Sequence, residues 1–192
     1  LKRGRDIPFY TDHSKIEAQN HLNLALQELN ITKETLEETL TYLYPPGANS
    51  IAQILQQQWL KTLGLHVQLR CMEPKMLSSL LSSKDYTFSH SMYRSQYLDP
   101  LSVLDRFLYK KNMKNYPSWE NAEYQRLVHL SSSQTGSKRL RTLEQAEEIL
   151  LEEMPFSPIF HGSLCFLKKP YVQGVELSPS GGIFFERLSI RD

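Results

Sequence analysis

Between residues 38 and 93 the sequence alternates between two hydrophobic periods, and that alternation restricts the fold more than any other feature. Leu40, Tyr42 and Tyr44 recur every second residue, which predicts a strand over 38–44 that Pro45-Pro46-Gly47 closes. Ile51, Ile54, Leu55 and Trp59 then fall on one side of a helix from about Ser50 to Leu63, with Gly64 placed to end it. The two-residue period returns in Leu65, Val67, Leu69 and Cys71, and it predicts a strand over 65–71 with Cys71 on its apolar face. Pro74 opens a further helix to Ser83, at a position where a missing N–H has no helical partner to lose. A strand around Tyr86–Tyr93 follows. Strand, helix, strand, helix, strand in this order predicts an α/β layer in which helices cover a sheet.

The flanks are mainly helical in pattern. Residues 1–13 read as polar and irregular. Ser14, with Glu17 three residues on, has the form of a capping box, and Ile16, Leu22, Ala25, Leu26 and Leu29 give that helix an apolar stripe up to Asn30. Beyond the layer a helix is predicted from Asp99-Pro100 to about Leu108, with Asp99 as its N-cap. Helices at about 119–131 and 137–153 flank a Ser-rich break, and an apolar strand over 157–168, bent at Gly162, and a last strand over 183–190 complete the chain.

A chain of 192 residues is expected to form one domain, or one domain with a short appendage. Its 22 basic and 21 acidic residues leave a net charge of +1, so no global field draws nucleic acid or an anionic membrane. No stretch approaches the ~20 apolar residues of a membrane helix. The chain opens on Leu1 and is read as a piece of a longer protein, so the lack of a secretory leader says nothing of its compartment. Cys71 and Cys165 lack metal-ligand spacing and read as two buried thiols, with a disulfide as the alternative in an oxidising compartment. GxSxG, HExxH and a Gly-rich phosphate loop are all missing. No catalytic residue, metal ligand or cofactor is therefore assigned, and the chain is not expected to be an enzyme.

Three blocks in order carry a resemblance. The run Ile51–Leu69, with Trp59-Leu-Lys-Thr-Leu-Gly64 ahead of Val67-Gln-Leu69, is followed by Asp85-Tyr-Thr-Phe-Ser-His-Ser-Met-Tyr93-Arg-Ser-Gln96-Tyr-Leu-Asp99-Pro100. Later come Glu153-Met-Pro-Phe-Ser-Pro158-Ile-Phe-His161 and Lys168-Lys-Pro170-Tyr-Val-Gln-Gly174. Together they resemble the extracellular solute-binding proteins of family 5, the oligopeptide-binding proteins of peptide ABC importers. The resemblance implies an α/β fold, a periplasmic-binding-protein-like class II lobe with a mixed sheet flanked by helices. It assigns residues 1–182 to the second, C-terminal lobe of a two-lobed clamshell, and 183–192 to a tail strand that in relatives returns to the first lobe.

What the family does is expected here in the same terms. An extended oligopeptide, or another small solute, is held between the lobes by main-chain pairing and delivered to an ABC permease. The missing first lobe is the other expected partner. The expected place is extracytoplasmic, either periplasmic or tethered as a lipoprotein in the parent protein, so the membrane is met only indirectly. The ligand strand corresponds to about His90, Met92, Tyr93 and Arg94, with His161 on the closing strand. In peptide-binding relatives an aspartate beyond that strand pairs with the peptide's α-ammonium, but Gln96 stands in its place here and can accept a hydrogen bond without neutralising the charge. The amine then falls to another acid, such as Asp99 or a residue of the missing lobe. The alternatives are a non-peptide solute on the same fold, or a ligand sensor or chaperone.

Overall fold

The computed structural model describes residues 14–163, 165–178 and 181–191; the expectation for residues 1–13 lies outside them. The chain divides after Met92 into two compact units.

The first unit is built on a parallel three-stranded sheet in the order β2-β1-β3, formed by β1 (Thr41–Tyr44), β2 (Gln68–Cys71) and β3 (Phe88–Ser89). Tyr42 faces Leu69 on one side and Phe88 on the other. Helices α3 (Asn49–Leu63) and α4 (Pro74–Ser83) make the two crossovers, as the alternating pattern predicts. Tyr42, Leu43 and Tyr44 are all buried, so β1 is covered on both faces rather than one. Gly64 ends α3 in the left-handed conformation, and Pro74 occupies the first turn of α4, both as expected.

Several expectations are corrected. Residues Lys33–Thr39 form a helix, α2, where the sequence pattern starts a strand at residue 38. The Thr32 hydroxyl caps it by accepting from Thr35 N–H, and its composition, KETLEET, has too few apolar residues to show a stripe. Ser14 stands at the N-cap of α1 (Lys15–Leu29), but its side chain makes no capping bond, and of the stripe Leu22 and Leu26 are half-buried while Ile16 and Leu29 are exposed. On α3, Leu55 and Trp59 of the predicted face do pack against the cluster of Tyr42, Tyr44, Ala48 and Val67, but its fully buried member is Ala52, and Ile54 is 57% exposed. Along the segment leading through β2, burial falls from Val67 through Leu69 to an exposed Cys71. Cys165 is exposed too, so neither is a buried thiol. The predicted strand over 86–93 shrinks to the two residues of β3.

The second unit gathers around α6 (Ala122–Ser131) and α7 (Gly136–Glu153), with α5 (Leu101–Leu104) running on through a 3-10 turn to Phe107. Leu104, Phe107, Tyr124, Leu127, Val128, Leu143, Ala146 and Leu150 form its core. The buried Tyr124 hydroxyl donates to Leu104 O at 2.6 Å, which satisfies both groups away from water. The loop before α6 is held by the fully buried Asn115, whose amide donates to the carbonyls of Tyr109 and Trp119.

Past α7 the sequence misleads. No strand forms among the described residues of 157–168; they are exposed, and a strand needs a ladder partner. The last strand is also shorter than 183–190. A 3-10 turn takes Phe185–Arg187, and β5 (Ser189–Ile190) pairs antiparallel with β4 (Val172–Gln173) inside this chain. Parallel and antiparallel pairing thus both occur, in separate sheets. Gly174 turns the chain after β4 with φ 71°, and the Arg187 carbonyl lies where a Cβ would sit.

The position of the α3 core face is directly testable. Ile54→Ala should change unfolding free energy by less than about 0.5 kcal/mol, while Ala52→Leu, which overpacks the sheet contact, should cost about 1–3 kcal/mol in denaturant titrations. The opposite ranking would put Ile54, as the sequence predicts, at the core.

Candidate functional site

Of the six residues singled out in the sequence, His90 and Met92 belong to the first unit and Tyr93, Arg94, Gln96 and His161 to the second.

His90 directly follows β3. Its N–H donates to Leu43 O at 2.7 Å, so backbone bonding to the central strand reaches one residue past β3. Its ring Nδ1 lies 3.0 Å from the Tyr42 hydroxyl. Tyr42 in turn packs edge-on to Trp59 and against Phe88, with ring centroids 5.5 and 5.3 Å away. Burial holds His90 below its ordinary value of 6.5 and pushes the Tyr42 phenol up to about 12. Both groups are therefore neutral at pH 7 and share one hydrogen bond, whichever nitrogen carries the proton. Met92 is 70% exposed.

In the second unit, Tyr93 is half-buried against the core. Its ring lies 5.6 Å from Phe107, 5.9 Å from Phe156 and 6.4 Å from Tyr116, with the Arg106 guanidinium 5.3 Å over its face. Arg94 is exposed, and its carbonyl accepts from Arg106 at 2.8 Å. Gln96 is exposed as well, while its backbone N–H donates to the Ser102 hydroxyl at 2.8 Å. The structure thus brings Arg94 and Gln96 together on one loop whose backbone is held from the following helix and turn. His161 is exposed, outside any strand.

Asp99 is already engaged. Its two oxygens accept from Arg139 at 2.6 and 2.9 Å, and Oδ1 also accepts from Leu101 N–H at 2.9 Å at the start of α5, although the N-cap position itself is Pro100 rather than the expected Asp99. The hydrogen bonds from Arg139, ahead of the Leu101 N–H, hold the carboxyl below its ordinary 3.8. An acid so paired is poorly placed to receive a ligand's ammonium, which sets aside one of the anchors considered above. Sequence reasoning missed Arg139: it lies forty residues away, and nothing in the pattern of α7 sets it apart from the other cations there.

A cavity of about 640 Å³ lies elsewhere in the first unit, lined by Glu34, Glu37, Glu38, Leu60, Leu65 and His66 among others. It contains none of the six residues. Among the described residues no cluster suited to a metal ion occurs.

No protein-family model matches the chain. It is 28% identical over 180 residues to the oligopeptide-binding protein OppA of Bacillus subtilis, covering 92% of this chain and 33% of that protein. It is 32% identical over 139 residues to an Escherichia coli protein named as a probable deoxycholate-binding periplasmic protein, YgiS, covering 71% of this chain and 26% of that one. The chain therefore spans about a third or less of the length of these relatives. The Haemophilus influenzae OppA, solved in complex with the peptide RPPGFSPFR, shares the fold with a TM-score of 0.79 at 22% identity, over 96% of this chain and 37% of that one.

The buried histidine has a measurable signature. An unfolded chain binds a proton on His90 near pH 6.5 and the folded one only lower, so the stability that comes from keeping this group neutral is full above 6.5 and is lost as pH falls through the folded value. His90→Gln should flatten that part of the pH dependence of the denaturation midpoint, and the His90 ring protons should titrate below 6.5 in NMR spectra. A midpoint at or above 6.5 would mean the ring is solvated.

Proposed function

We infer function from one premise: the chain is a homologue of the oligopeptide-binding solute-binding proteins, whose relatives are named as binding proteins, most of them for peptides, rather than as enzymes. On this reading residues 1–182 are the second lobe of an extracytoplasmic binding protein that captures oligopeptides and delivers them to a permease. Residues 183–192 are the tail that returns toward the first lobe. The parent protein is periplasmic or tethered to the membrane as a lipoprotein.

The observation that supports peptide capture most directly is β3. It lies at the edge of the parallel sheet, and the chain continues from it through His90 and the exposed Met92. Adding an extended peptide to such an edge gives main-chain bonds that are independent of sequence. His90, Met92, Tyr93, Arg94, Gln96 and His161 are the proposed contacts. Of these, Tyr93 is packed among core aromatics, which suits a residue that orients its neighbours more than one that closes on a ligand.

A second reading is favoured by Gln96 and by the deoxycholate-named relative: the same fold holding a non-peptide solute. The two separate in calorimetry of the complete protein with a free-amine tripeptide and its N-acetylated twin. Peptide capture predicts that Gln96→Asp tightens the free-amine peptide about tenfold and leaves the acetylated one unchanged, because a charge-assisted bond replaces a neutral one. No gain would place the amine elsewhere, and no binding of either peptide by the complete protein would sink peptide capture. The isolated chain should bind both peptides far more weakly than the complete protein, since the contacts and closure of the other lobe are missing.

A further inference from the structure

The loop from Arg94 to Asp99 contains no helix or strand, yet its backbone is tied at three points within the second unit. The Arg106 guanidinium donates to Arg94 O at 2.8 Å. Ser102 accepts from Gln96 N–H at 2.8 Å. Arg139, reaching from α7, holds Asp99 with two charge-assisted bonds of 2.6 and 2.9 Å. Two local bonds tighten the loop further: the Ser95 hydroxyl and Asp99 N–H both donate to Tyr97 O.

The side chains follow the opposite pattern. Gln96 is exposed, Tyr97 is 47% exposed and Leu98 56%. A loop left to itself would let such side chains collapse or wander, at an entropic cost to any partner that had to order them. Here the backbone is fixed and the side chains are presented.

We infer that Arg139 and Asp99 are positioning residues, a two-bond latch between α7 and the loop that preorganises the backbone on which Gln96 is displayed. What the loop grips rests on the peptide-capture reading; that it is latched does not. Among the three long-range ties, this one makes two bonds and joins two charges. The pair is partly shielded, with side chains 21% and 28% exposed, so solvent screens it less than an open surface pair. A fork of two parallel bonds also fixes direction as well as distance, which a lysine could not do. Arg139 itself touches no proposed ligand position; it acts through Asp99.

The test is amide hydrogen exchange on the chain, wild type against Asp99→Asn, Arg139→Gln and the double variant. Asn at position 99 keeps an oxygen for Leu101 N–H, so that bond survives while the latch is lost. Exchange at the Gln96 amide should rise about tenfold in each single variant, with core amides of α6 and α7 changing less than about twofold. The double variant should add nothing to either single one, as expected of two partners in one interaction. Arg139→Lys should fall between wild type and Arg139→Gln. An unchanged Gln96 amide would overturn the inference. So would acceleration spread equally through α6 and α7, which would make the pair a general brace of the unit. No peptide is present in this measurement, so its failure would leave peptide capture standing, and a failure of peptides to bind would leave the latch standing.

Discussion

The first unit depends on β1 being paired on both edges and covered on both faces. Three successive buried residues, Tyr42, Leu43 and Tyr44, allow no solvent side. Every neighbour is arranged to meet that demand: β2 and β3 take its backbone bonds, and α3 brings the small Ala52 against its tyrosines. The same constraint reaches the proposed ligand strand. Leu43 O accepts the His90 N–H, and the Tyr42 hydroxyl holds the His90 ring, so the first residue beyond β3 takes its direction from the core strand. Burial keeps the His90 ring neutral, so it adds no fixed charge where the chain leaves β3.

The second unit reaches a comparable result by different means. Its loop of proposed contacts has no sheet to lie on, and polar ties from α5, the following turn and α7 stand in for a ladder. One carboxylate near Gln96, that of Asp99, is thereby committed to Arg139 and to the Leu101 N–H. Gln96 thus remains a neutral acceptor on a fixed backbone. If a peptide ammonium binds, its counter-charge must come from elsewhere, and the unmatched two thirds of the relatives' length is the natural source.

Much of this was legible in the sequence because period and punctuation are local signals. The crossovers α3 and α4, the left-handed Gly64, the Pro74 start and both long helices of the second unit each follow from residues a few positions apart. The errors come from interactions that are not local. A central strand buries alternate and intervening residues alike, so Leu43 could not be sorted from Tyr42 and Tyr44 by period. Ala52 outranks Ile54 at the sheet because it shares a helical face with Leu55 and Trp59, three and seven residues on, while Ile54 falls beside that face. The apolar run after α7 has the composition of a strand but no partner for its backbone. For the proposed site, the sequence pointed to the loop around Gln96, while the Asp99–Arg139 pair, spanning forty residues, left no local trace.

Peptide capture by the complete protein is the central claim, and native mass spectrometry of that protein, purified gently from its producing cell, tests it most directly. The β3 edge, whose main-chain bonds do not depend on side chains, should hold whatever extended peptides the cell offers. The account therefore predicts a ladder of peptide masses above the mass of the protein. A single bound mass that is not a peptide would keep the fold and contradict the claim.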